Sequence, residues 1–80
     1  MSLFIPSTFR YEQITPSSVW TIVHNLGNNG SQGVPIVDVF VNKDGNLAKI
    51  MPSKILIQDN NTVVIEFDVG AFTGVAHIIV

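Results

Sequence analysis

Two histidines, six serines and six acidic side chains are the groups in this 80-residue chain whose types could do chemistry. Nucleophilic catalysis needs a nucleophile, a base and an orienting group brought together. Ser2, Ser7, Ser17, Ser18, Ser31 and Ser53 supply hydroxyls, His24 a base and Asp38 an orienter, but no G-x-S-x-G elbow is present and the serines sit in turn and cap contexts. Glu66 and Asp68 lie two apart, so they share one strand face and could cooperate in acid–base work. The same spacing is the solvated outer face of a half-buried strand. A metal shell is disfavoured too: no cysteine is present, and neither His24 nor His77 has an acidic cluster beside it in sequence. Gly27, Gly30 and Gly33 resemble a phosphate loop only in composition, since no helix start follows them to supply a dipole. No catalytic residue, metal ligand or cofactor is therefore expected, and the chain reads as non-enzymatic.

Binding chemistry has one aromatic candidate. Exposed Trp and Tyr faces beside Asn and Gln form a common carbohydrate platform, and Trp20, Tyr11 and the Asn-rich loop 25–32 provide those types. Against it, a lone Trp in a small β domain usually belongs to the core. His24 stands directly before Asn25-Leu26-Gly27, where one ring nitrogen is expected to bond a backbone carbonyl and hold the turn. His77, between Ala76 and Ile78, is expected on the outer face of the last strand.

The elements that must position these groups are strands. No 3.6-residue apolar period persists for three turns. Runs of β-branched and aromatic residues recur instead, punctuated by Gly, Pro, Asn and Asp. After an apolar arm at residues 1–7, the first strand is expected over Thr8–Ile14, broken by Thr15-Pro16-Ser17-Ser18. The second is Val19–His24, with Trp20, Ile22 and His24 on one face. A long loop, Asn25–Gly33, leads to Val34-Pro35 and the strand Ile36–Asn42. Asp44-Gly45 closes a hairpin of type I′ onto Leu47–Met51. Ser53–Gln58 and Thr62–Asp68 pair around Asp59-Asn60-Asn61, with Val63, Ile65 and Phe67 inward and Glu66 and Asp68 outward. Gly70–Gly74 is a turn anchored by Phe72, and Val75–Val80 closes the fold. The expected architecture is all-β: a small antiparallel β-sandwich or partly open barrel of about seven short strands, with an arm at 1–7 and one domain at 8–80.

Composition bounds how such a fold can live. Hydrophobic residues make up 46% of the chain and charged residues 12%, about half the usual ~25%. Eighty residues bury a thin core, and without disulfides or metal the remaining stabiliser is association with other chains. The net charge is −2, and the four cations Arg10, Lys43, Lys49 and Lys54 are too scattered to track phosphates, so nucleic acid is disfavoured as a partner. No apolar run approaches the ~20 residues of a membrane span. The first six residues lack the basic region and long apolar stretch of a signal peptide, and the absence of cysteine fits a reducing cytoplasm.

One segment is more specific than composition. Trp20-Thr21-Ile22-Val23-His24-Asn25-Leu26-Gly27 is followed by the Pro35-led strand, the Asp44-Gly45 turn and Phe72-Thr73-Gly74-Val75-Ala76. This order resembles a small β module of tailed-bacteriophage virion proteins, especially tail-fibre and baseplate-associated ones, which read as W-x-I-x-H-N-L-G, a Pro-led strand, a D-x-x-G turn and F-x-G-x-A. The resemblance spans about residues 18–80 and departs from the module in a longer link before Pro35; the module usually sits inside a long fibre chain, and this one is expected to be either a stand-alone small virion protein or an excised domain. It implies a non-catalytic virion structural protein of tail fibre, baseplate or capsid, assembled in the host cytoplasm. Its partners would be other virion chains, often as a homotrimer; a fibre-tip module that binds a host surface glycan is the alternative. It also implies structural roles: Trp20 and Ile22 fill the core, His24 and Asn25 hold the turn, Leu26 caps the sandwich end and Gly27 takes a backbone angle that other residues resist.

Overall fold

Alternating apolar and polar side chains oblige each strand to bury one face, and two sheets stacked face to face satisfy all of them at once. The computed structural model describes residues 8–27 and 35–80. The expected arm at 1–7 and most of the link before Pro35 lie outside the described residues. Among the described residues seven strands are formed: β1 (Thr8–Ser17), β2 (Val19–Val23), β3 (Ile36–Lys43), β4 (Asn46–Ile50), β5 (Lys54–Asp59), β6 (Thr62–Glu66) and β7 (Phe72–Ile79). They make a four-stranded sheet in the order β1-β7-β3-β4 and a three-stranded sheet in the order β2-β6-β5. Every pairing is antiparallel. The all-β sandwich expected from the sequence is the fold observed, and the two sheets do not close into a barrel.

The core lies between the sheets. Trp20 and Ile22 of β2 and Val63 and Ile65 of β6 meet Val39 and Val41 of β3 and Ala76 and Ile78 of β7; all eight are buried. Phe67, just past β6, packs edge-on against Trp20, with ring centroids 5.0 Å apart, and against Phe72 at 5.2 Å. Burying each large apolar side chain contributes about 1.5–3 kcal/mol, so this small set carries most of the fold's stability. The Asp44-Gly45 hairpin forms as its residues demand, with φ of 53° and 84°.

Three expectations are corrected. Pro16 does not end the first strand: β1 runs to Ser17, with a register irregularity between Gln13 and Ser17. It is tolerated because β1 is an edge strand, where a missing N–H costs no ladder bond. The turn expected at Gly70–Gly74 is shorter, because β7 already starts at Phe72 and Gly74 pairs with Val41 inside the strand. The alternation in β6 is not clean either. Val64 points away from the core yet is buried, since β6 is the middle strand with neighbours on both sides.

Gly74 marks the closest approach of two strands. A Cβ built there would collide with the carbonyl oxygen of Phe40 and lie 2.8 Å from the Cα of Val41, both backbone atoms that cannot swing aside. Gly74→Ala is therefore expected to cost at least about 1–3 kcal/mol. That is a large share of the ~3–5 kcal/mol such a core supplies. A denaturant titration followed by far-ultraviolet dichroism checks this, and an unchanged midpoint would refute it.

Candidate functional site

The most specific segment of the sequence builds a clasp at the end of β2. His24 is 4% exposed, and its backbone N–H donates to the carbonyl of Asn61 at 2.8 Å. Asn25 N–H reaches the same carbonyl at 3.4 Å. The Asn61 side chain completes the clasp: its Oδ1 accepts from the N–H of Gly27 at 3.0 Å. Asn25 and Gly27 both take positive φ, 57° and 67°, the left-handed region that Asn and Gly tolerate best. Asp59 steadies the opposite side, with Oδ1 accepting from Asn61 N–H at 2.8 Å.

The carbonyl bond expected of a His24 ring nitrogen is not formed. Nδ1 does not donate to a carbonyl; it accepts from the N–H of Leu26 at 3.1 Å. The proton of the neutral ring therefore sits on Nε2, which is buried without a hydrogen-bond partner among the described residues. Burial pushes the pKa of His24 below its ordinary value of 6.5, opposed by the nearby Asp59 carboxylate. Protonation would destroy the acceptor that holds Leu26. The motif is a structural lock, and Trp20 and Ile22 fill the core beside it as expected. Leu26 is half-buried against that core.

The aromatic platform is not formed. Trp20 is 0% exposed and has no free face for a sugar. Its indole N–H is shared between the carbonyls of Ser17, at 3.1 Å, and Phe72, at 3.2 Å. Tyr11 packs against it with ring centroids 6.2 Å apart, and the Tyr11 hydroxyl donates to Oε1 of Gln13. The candidate catalytic groups are not brought together: Asp38 lies on the four-stranded sheet, where Lys49 Nζ approaches it to 3.2 Å, and His24 follows β2 of the other sheet. Glu66 is half-buried and Asp68 exposed at the end of β6, Glu66 facing Lys54 at 4.0 Å. Among the described residues no group of three His, Asp or Glu is placed to hold a metal ion.

Each sheet also presents an outer face. On the four-stranded sheet, Arg10, His77 and Asp38 stand in register across β1, β7 and β3. Lys49 joins through its pair with Asp38, and the edge of the His77 ring meets Phe40 at 5.9 Å. The same face also exposes Ile14, Ile36 and Leu47, so it mixes charge with apolar surface. A concavity of about 200 Å³ beside it is lined by Thr8, Phe9, Arg10, His77 and Ile79. On the three-stranded sheet, register sets three rows of outward residues: Val19-Glu66-Lys54, Thr21-Val64-Leu56 and Val23-Thr62-Asp59. Val19, Val23 and Leu56 are exposed by 45%, 54% and 41%. This lattice holds charge only at one corner row and one opposite corner, and its middle is apolar or hydroxylic. It was not foreseen residue by residue; the signal available was the Val-x-x-x-Val spacing on β2 opposite the buried Trp20 face.

Comparison with known protein families, curated proteins and solved structures finds no match to this chain.

The clasp makes stability depend on pH through His24. Above pH 6.5 the ring is neutral in both folded and unfolded chains and its contribution is fully present. As pH falls from 6.5 through the lower folded-state value, the unfolded chain takes up a proton that the buried ring resists, so stability drops. The urea midpoint of the natural chain is expected to fall between pH 7.5 and 5.5, and the drop to flatten in His24→Gln; equal slopes would refute it. Asn61→Ala removes the acceptor for Gly27 but keeps the backbone carbonyl for His24, for an expected loss of about 1 kcal/mol. Retained urea resistance in that variant would show the clasp to be dispensable.

Proposed function

We propose that this chain is a non-catalytic assembly module of a tailed-bacteriophage virion, in the tail fibre, baseplate or capsid, that works by docking to other virion proteins. One observation carries the docking part: the outer face of the three-stranded sheet exposes Val19, Val23 and Leu56 around Thr21, with Glu66, Lys54 and Asp59 confined to its outer rows. Apolar area of this kind associates by excluding water, with few charges to desolvate on contact. Support for the virion setting comes from the W-x-I-x-H-N-L-G order. Its residues are spent here on locking the fold, as the resemblance implies, and this leaves the sheet surface for the partner.

Val19 and Val23 are exposed, so Val19→Lys/Val23→Lys should change folding stability by no more than about 0.5 kcal/mol per site. The experiment is to label purified particles with a gold-conjugated antibody against the chain and to assay the same particles by mass spectrometry. The natural chain is expected in washed particles at one fixed position, and the double variant is expected to be depleted at least tenfold from them while folding normally. Absence of the natural chain from washed particles would overturn the virion assignment. Undiminished incorporation of the double variant would overturn the role of this face.

A further inference from the structure

Among the described residues no strand pairs with the outer edge of β5. β5 ends the order β2-β6-β5, all six of its residues are exposed, and Ile55, Leu56 and Ile57 are 37%, 41% and 38% exposed on its two faces. Natural edge strands are usually blunted by Pro, by a central charge or by a mid-strand bulge. β1 has Pro16 and an irregular register, and β4 has Lys49 within its five residues. The middle of β5 has none of these devices.

The order of residues along β5 is self-complementary once its bulge is counted. Lys54, Ile55, Leu56 and Ile57 pair in register with Glu66, Ile65, Val64 and Val63, but Thr62 is met by Asp59. Gln58 is thus the extra residue, and Asp59 comes to the outer face shared by Lys54 and Leu56. The five ladder positions read Lys54 out, Ile55 in, Leu56 out, Ile57 in, Asp59 out. About Leu56 the inner pair is isoleucine with isoleucine and the outer pair is opposite in charge. We propose that the occupant of this edge is a second copy of the chain, added antiparallel about a two-fold axis that lies beside β5 at the level of Leu56 and perpendicular to the sheet. Each Lys54 then faces the second copy's Asp59, each Ile55 faces the second copy's Ile57, and the two Leu56 side chains meet on the axis. Outer faces stay with outer faces, so the product is one continuous six-stranded sheet. Parallel addition would set Lys54 beside Lys54, and any antiparallel shift by two residues separates both charge pairs. This inference rests on the reading of the chain as a docking module and names one partner for it; the apolar outer lattice stays open for others.

The chain contains no cysteine, so a single introduced thiol reports its own surroundings. Light scattering across a concentration series is expected to show a species of twice 8.7 kDa. Under mild oxidation Leu56→Cys is expected to cross-link to a dimer, and Leu47→Cys on the opposite sheet's edge is not. Lys54→Glu and Asp59→Lys should each self-associate about tenfold more weakly, because two favourable pairs become two repulsive ones. Mixed in equal amounts, the two variants restore opposite charges at both positions and should form a heterodimer of natural affinity. A strict monomer, a trimer, or a dimer that Leu56→Cys fails to trap would overturn the proposal. If Asp59→Lys does not fold, by dichroism, the cross-linking arm still decides. Particle labelling is independent of these results: a chain present in virions but monomeric in solution removes the two-fold pairing alone, and a dimer absent from virions removes the setting alone.

Discussion

The fold hangs on the indole N–H of Trp20. The side chain is wholly buried, so its one donor must be met inside the protein, and it is met twice: by Ser17 O at the bend where the chain leaves the four-stranded sheet, and by Phe72 O at the first residue of β7. If the sheets slid past one another, that donor would be left unpaired in the core, at a cost of about 1–3 kcal/mol. A second bond nearby, from Phe67 N–H to Ser18 O at 2.8 Å, carries the β2–β6 pairing past the strand end. Phe67 and Phe72 close around the indole, so the aromatic contacts and the hydrogen bonds select the same arrangement.

Given that pin, the rest of β2 has no freedom. Ile22 and His24 follow Trp20 on the same face at period two, which takes the histidine to the far end of the core. There the chain must turn out of the sheet, and four backbone or side-chain bonds involving His24, Asn25, Leu26 and Gly27 are spent on doing so. A histidine in that place is not available as a general base. Its Nδ1 is occupied by Leu26, and its charged form is disfavoured by burial. The ring nitrogen that could have served as a base is thus consumed by the turn.

Much of this was legible in the chain. The alternation of Trp20 and Ile22, of Val39 and Val41, and of Val63, Ile65 and Phe67 identifies strands and their buried faces, because a pleated strand has no other way to sort its side chains. Asp44-Gly45 announces its own turn. The limits appeared where a residue's meaning depends on a distant neighbour. Pro16 reads as a terminator, yet sits in β1 because that strand is at an edge. Gly74 reads as part of a turn, yet is demanded by the approach of β3. Asn61 reads as a turn residue, yet its amide oxygen serves Gly27, 34 positions away.

The sequence by itself determined the class of fold, the faces of its strands and the shortage of charge that makes association plausible, since all three follow from local side-chain chemistry. Tertiary structure alone decided which strands pair, that β5 rather than a neighbour is left at an edge, and that a bulge at Gln58 turns Asp59 to the side of Lys54. Those outcomes depend on hydrogen bonds between strands far apart in the chain, and a local pattern of apolar residues is equally satisfied by several partners. Only burial of the shared core chooses among them.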